Sequence, residues 1–432
     1  MNRAHVEWLY EELPGLVKSG ILSPDVAERL HRHYGEQDDA RRKRWTLVLF
    51  GILGGVLIGG GTLLIIAHNW DELSRGTRAV LSFAPLLIGQ ALGAFVLLRK
   101  AESPAWREGV GAYWALAVGA SIALVAQTYN LAGDFSRFML SWTLLGLLVV
   151  YLMQACLPAL LYLVGITVWT ASAWDARHEP AWFWVLALLL LPYLWALVRR
   201  DRYQPRVALA GWVLSACVCI AVAFMLERGV PGLWRAIYGL LFTIIYTAGA
   251  VWFGEAPNSW KRPLQTAGGL GVIIVVLILT FEDPWGGWRA DSSGDVNAPA
   301  MIPLWLTLAV GGISAAWLLS RRAAPWQAVF GAFALVVALG QLVARRSVGA
   351  AMALFNAYVL ALGVTTLWAG LSKANLAIAN VGMAIIALLI VTRFFDSDLS
   401  FVVRGLGFIA VGTVFLIANV VLARRQKTGA AS

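Results

Sequence analysis

Apolar residues in this chain fall in long unbroken runs rather than alternating with polar ones. The first runs from Trp45 to Ala67. At about 1.5 Å per residue, its roughly 23 uncharged residues cover the ~30 Å of a bilayer core as a helix. It is bounded by Arg41-Arg42-Lys43-Arg44 on one side and His68-Asn69-Trp70-Asp71 on the other. Similar runs follow at 78–98, 110–130, 138–154, 157–174, 181–198, 206–226, 233–253, 264–281, 302–320, 326–344, 350–371, 374–392 and 401–423. The pattern predicts an all-α, polytopic membrane bundle of about 14 transmembrane helices. A β-barrel would need alternation, which these runs lack. The junctions at Ala155-Cys156 and Ser372-Lys373 are short enough to require tight antiparallel hairpins. The runs at 138–154 and 157–174 are short for spans and leave tilted or partly re-entrant helices open.

Residues 1–40 follow a different rule. Trp8, Leu9, Leu13, Leu16 and Val17 recur at helical spacing. Gly20 is placed to stop that helix, and Ser23-Pro24-Asp25 reads as N-cap, first-turn proline and first-turn acid. Val26, Leu30 and Tyr34 then share one face of a second helix ending near Gly35. A hairpin this small buries little by itself, so a docking partner is expected: another protein, a second copy or the membrane face. His31 and His33 are two apart and do not face each other on a helix, which argues against a metal pair.

Composition sharpens the membrane assignment. The chain is 59% hydrophobic and 13% charged, with a mean hydropathy of +0.72, which excludes a set of soluble domains. Its 42 glycines and 21 tryptophans suit close helix packing and interfacial anchoring. The net charge of +10 comes from basic residues clustered between apolar runs, with no basic face carrying aromatic platforms. Lipid headgroups and topology explain it, and nucleic acid is not an expected partner. With the N-terminus inside, the cytoplasmic connections hold about 19 Lys/Arg and the opposite side about 11, the bias that the positive-inside rule demands. Arg345-Arg346 is the clear exception. Both termini are therefore expected in the cytoplasm. The chain divides into a cytosolic hairpin (1–40), a first membrane block (41–154), middle spans (155–281), an extracytoplasmic loop (282–300), C-terminal spans (301–423) and a basic cytosolic tail (424–432). No apolar signal-peptide region occurs in Met1–Ala40.

Candidate chemistry is sparse. No nucleotide loop, nucleophile elbow, zinc helix or dinucleotide fingerprint occurs, and Gly51–Gly61 lies inside an apolar run without the lysine of a phosphate loop. Cys156, Cys217 and Cys219 have neither disulfide nor metal spacing and read as small buried apolar groups. In 282–300, Trp285-Gly286-Gly287-Trp288 suggests an interfacial turn. The acids Asp291 and Asp295 lack calcium-loop spacing, so a surface loop is expected. No cofactor and no metal are expected.

Polar groups at membrane depth are costly and hence informative. Three constellations sit at the ends of outward-running spans. The first is His68, Asn69 and Asp71. The second is Gln127, Tyr129, Asn130 and Asp134, in which Asp134 and Arg137 have the spacing of an ion pair if the turn is helical. The third is Arg393 and Asp396, facing Arg404. Helix capping and interfacial anchoring account for these residue types; a shared outward-facing polar cavity is the functional alternative. Gln90, Gln154, Gln265, Gln341, Asn356, Asn380 and Asn419 are expected to make interhelical hydrogen bonds.

The hairpin with Gly20-Ile21-Leu22-Ser23, the Asn69-Trp70 exit with Leu73, and Gln127-x-Tyr129 followed by Gly133-Asp134 and Trp142 resemble a bacterial membrane family known as domain of unknown function 2157. The likeness covers roughly residues 8–150. More loosely, Arg393-Phe394-Phe395-Asp396 with Arg404-Gly405 resembles the C-terminal part of longer members. The resemblance implies a bacterial inner-membrane location and a cytoplasmic N-terminal hairpin, and carries no established activity. Three classes of function stay open. They are a transporter or flippase for an envelope-related or amphipathic substrate, a non-catalytic scaffold or sensor docking partners through residues 1–40, and a membrane enzyme acting on a lipid-linked substrate. In the last, Asp71, Asp134 and Asp396 are the available bases.

Overall fold

The computed structural model describes residues 12–17, 19–34, 72–131, 133–172, 182–228, 233–254, 256, 258–286, 302–320, 325–373, 375–396 and a few positions between 402 and 413. The first expected span and nearly all of the last, with His68, Asn69, Asp71 and Arg404, lie outside the described residues. The chain forms two compact units, Met1–Leu81 and Ser82–Ser432.

In the first unit, residues 12–17 are helical and end at Gly20, whose φ of +74° is readily reached only without a side chain. Ile21 and Leu22 both donate their N–H to the Leu16 carbonyl, satisfying the free end of that helix. Ser23 Oγ then accepts the Val26 N–H at 3.4 Å, and helix α1 (Pro24–Tyr34) follows with an Asp25–Arg29 ion pair on its exposed face. Helix α2 (Arg75–Arg99) begins where Ser74 Oγ accepts the Thr77 N–H.

The described regular structure of the second unit is entirely helical. After α2 come α3 (Pro104–Thr128), α4 (Phe135–Met153), α5 (Cys156–Ser172), α6 (Trp182–Arg200) and α7 (Pro205–Arg228). They are followed by α8 (Trp234–Phe253), α9 (Pro263–Leu279), α10 (Ile302–Ser320), α11 (Pro325–Gly331), α12 (Phe333–Ala344), α13 (Val348–Ser372) and α14 (Leu376–Asp396). Among the described residues, eight helices are long and apolar enough to cross a membrane: α2, α3, α4, α6, α7, α8, α13 and α14. Helices α5, α9, α12 and the Trp305–Ser320 part of α10 are apolar but shorter. The α4–α5 and α13–α14 pairs are the tight hairpins that the short junctions require.

One buried apolar cluster joins α4 to α7 around Tyr162, Leu163, Ile166, Phe183 and Leu190. A larger one joins α8 to α14 around Val276, Trp285, Phe333, Phe355 and Leu362. Leu87, Leu98, Leu148, Leu188, Ile274 and Ile313 point outward, each at least half exposed. This inversion suits a bundle whose solvent is lipid.

The expected span 326–344 is two helices. The ladder breaks at Ala332, where the Ala334 N–H leaves the helix axis and donates to Thr243 Oγ1 of α8 at 3.0 Å. A side chain from another helix has entered the i→i−4 ladder, a recognised cause of a break. Tyr358 of α13 donates to the Val329 carbonyl on the other side of the break at 2.7 Å. The rings of Tyr246 and Phe330 stack beside it at 5.2 Å.

Candidate functional site

The second constellation forms the α3–α4 turn. Asn130 takes a left-handed φ of 49°, and Leu131 N–H returns to the Ala126 carbonyl, closing α3. Asp134 does not pair with Arg137. It sits at the N-cap of α4 in extended backbone, and its carboxylate accepts the Ser136 N–H at 3.1 Å. The residue is not yet helical, so the spacing that suggested an ion pair does not apply. Gln127, Tyr129, Asn130 and Asp134 are all exposed. Behind the turn, Thr128 is buried against Ser82 at 3.1 Å, and Trp142 donates its indole N–H to the Ala115 carbonyl at 2.7 Å.

Arg393 belongs to a different assembly. It lies in the last turn of α14 and donates to the Thr280 carbonyl at the end of α9, with its guanidinium 4.9 Å over the Phe281 ring. Opposite it stands Arg235, in the first turn of α8 and only 4% exposed. Arg235 donates to the Pro284 carbonyl and lies 5.2 Å over the ring of Trp285. Trp285 is 1% exposed and donates to the Leu279 carbonyl at 3.1 Å. Of the expected interfacial turn, Trp285 is therefore buried while Gly286 is exposed, and Gly287 and Trp288 lie outside the described residues. Two cations hold the turn at a helix C-terminus, where carbonyl dipoles favour positive charge. Asp396 is the last residue of α14.

At the opposite ends of α3–α7 lies a site that the sequence reading missed. Glu108 accepts the Cys156 and Leu157 N–H groups at 2.9 and 2.7 Å, while Arg206 pairs with the same carboxylate at 3.1 Å. Arg107 donates to the Met153 carbonyl at 2.7 Å. One acid thus neutralises the N-terminus of α5, and its neighbour closes the C-terminus of α4. The signal was available: Glu108 is an acid directly beside a membrane-edge arginine.

Of the amides expected to bridge helices, Gln265 of α9 faces the Tyr246 hydroxyl of α8, and Asn419 lies outside the described residues. Asn356 donates to Met352 and Gln154 to Tyr151, each within its own helix, while Gln90 and Asn380 are exposed. Hydroxyls and indoles tie the helices instead, as in Tyr162 to Leu186 at 2.8 Å and Tyr151 to Leu189 at 2.5 Å. Cys156 and Cys217 are buried, Cys219 is half-buried, and all three are free thiols. Among the described residues no group of three or more His, Cys, Asp or Glu side chains could hold a metal ion.

Apolar helices of spanning length, an outward-facing apolar surface and arginine-held ends define a multi-pass membrane protein. Residues 14–157, a third of the chain, match the family model described as Predicted membrane protein (DUF2157), where the Gly20, Gln127-x-Tyr129 and Trp142 landmarks lie. No curated protein and no solved structure matches the chain.

Proposed function

We propose that this protein moves an amphipathic, envelope-related substrate through the bilayer, as a transporter or flippase. The observation that supports the reading is the interruption between α11 and α12. Backbone groups freed in lipid are costly, so a helix that only spans has every reason to stay continuous. Here the displaced N–H meets Thr243, halfway along α8, and a carbonyl beside the break meets Tyr358 of α13. Interrupted helices near mid-membrane are where secondary transporters build their substrate and ion sites.

The same reading completes a count of about 14 spans with the shorter helices and places the chain in a bacterial inner membrane, termini inside. The gathering of Arg99, Lys100, Arg107, Arg199, Arg200, Arg206, Lys261 and Arg262 at alternate connections supports that orientation. Reporter fusions at Ala290 and after Ser432 are expected on opposite faces; the same face for both overturns it.

In proteoliposomes with an NBD-labelled phospholipid, the protein is expected to raise the fraction bleached by external dithionite, and Thr243→Val to lower that rise. A bleached fraction equal to protein-free vesicles rejects lipid flipping. It would favour the second reading, a scaffold or sensor docking a protein or a second copy through residues 1–40. That reading draws support from Trp285, which is buried under Arg235 beside the end of α9.

A further inference from the structure

Helices α8 and α9 meet along a seam of glycines that leaves their backbones almost touching. A Cβ on Gly249 would lie 2.1 Å from the Gln265 nitrogen, and one on Gly268 would lie 2.5 Å from the Tyr246 nitrogen. This close approach fixes the two neighbouring side chains, Tyr246 and Gln265, with little freedom to turn away. Both are more than nine-tenths buried, at 2% and 6% exposure. They lie beside each other, with the Gln265 amide directed at the Tyr246 hydroxyl, yet the Tyr246 hydroxyl and Gln265 Oε1 each stop short of a hydrogen-bond contact.

Two buried polar atoms left this way, side by side on a rigid seam, are each costly. Apolar neighbours offer no relief: the Tyr246 ring is stacked on Phe330, which packs edge-on against Trp326. The surroundings supply two further polar features. The Tyr358 phenol lies near Tyr246 and uses its proton on the Val329 carbonyl, which leaves its lone pairs as acceptors. Arg262, folded onto the Ala256 carbonyl at the membrane edge, lies three residues before Gln265 and acts electrostatically on Tyr246. Three residues of helix rise about 5 Å, so the pair is within a short step of the α8–α9 connection.

We propose that Tyr246 and Gln265 form a binding point for a single hydroxyl-bearing molecule, entered from the α8–α9 connection. The bound O–H donates to Gln265 Oε1 and exchanges a second hydrogen bond with the Tyr246 hydroxyl. A carboxylate would be repelled by Gln265 Oε1, which can only accept, and an apolar group would leave both atoms unsatisfied. Water and the hydroxyl of a lipid headgroup share this chemistry. The site does not depend on the transport reading, because a scaffold could hold the same molecule.

The test is a double-mutant cycle on the full-length protein, with Tyr246→Phe, Gln265→Met and the pair, read by thermal unfolding. Each single change is expected to lower the midpoint by about 2 °C, and the pair by less than the sum. Singles that leave the midpoint unchanged or raise it, or that add fully, overturn the proposal. A direct Tyr–Gln bond would also couple, so access is measured separately. With Cys156, Cys217 and Cys219 replaced by alanine, Gln265→Cys is expected to react with a small methanethiosulfonate, and failure to react in folded protein overturns the site. Repeating the cycle in phosphatidylglycerol and in phosphatidylethanolamine separates the sources. Coupling in both lipids identifies water, and coupling in phosphatidylglycerol alone identifies the headgroup hydroxyl.

Discussion

The hydroxyl of Thr243 accepts the backbone N–H of Ala334, 91 residues further along the chain and in another helix. Thr243 is fully buried, so no water competes for that donor. The bond holds α11–α12 in its interrupted form and ties the break to α8.

Replacing Thr243 by valine keeps the shape and removes the acceptor. The Ala334 N–H is then left unsatisfied at depth, a loss of about 1–3 kcal/mol. Thr243→Ser keeps the hydroxyl and is expected to cost clearly less. Thermal unfolding of the two variants side by side checks the order; equal losses would mean that packing rather than the hydrogen bond holds the break.

Glu108 has three donors, of which Arg206 is one. Glu108→Ala strips the cap from α5 and leaves a partly buried arginine unpaired, so a loss of about 2–3 kcal/mol is expected. Arg206→Met leaves Glu108 on its two backbone N–H groups and is expected to cost less than half of that. Urea or thermal unfolding of both variants tests the ranking, and a larger loss for Arg206→Met would show the ion pair to be the dominant contact.

What the sequence revealed here was local. The stop at Gly20, the cap at Ser23 and the hairpin at Ala155-Cys156 each depend on residues within a turn or two, and the structure has them where the pattern places them. Relations between distant residues were hidden. Nothing in residues 325–344 announces a break, because its cause is Thr243. Arg235 counted only as a charge on the outward side, although it is buried against Trp285. Of the expected site, Asp134 proved to be a helix cap, because pairing by spacing assumes a helix that had not yet begun. Gln265 was legible as an odd polar residue in an apolar run, but its neighbour Tyr246 was not, since aromatic residues are ordinary there.

Glycines separate close approach from simple exposure. On Gly268 a Cβ would sit 2.5 Å from the Tyr246 nitrogen, so Gly268→Ala must push α9 off α8. A loss of about 1–3 kcal/mol is expected. Gly109, exposed on α3, has nothing within 4 Å of such a Cβ. Gly109→Ala is expected to be neutral or to gain up to about 1 kcal/mol from helix propensity. Thermal unfolding of both proteins decides; a matching loss at Gly109 would contradict the packing argument.

The Asp283–Trp285 turn at the end of α9 offers a local readout. Arg235 donates to the Pro284 carbonyl and covers the Trp285 ring, so Arg235→Met keeps part of the apolar stem but removes both the hydrogen bond and the cation. The Asp283–Trp285 turn is then held mainly by the Trp285 indole bond to Leu279. Amide exchange at 281–286 is expected to quicken by about tenfold, the equivalent of about 1.4 kcal/mol of local stability, with the middle of α9 unchanged. Arg393→Met removes the bond to Thr280 and is expected to quicken exchange at 280–282 first, because its contacts lie one turn earlier. If both variants loosened the whole of α8–α14 equally, the arginines would be supporting the core of the unit rather than clamping one turn of it.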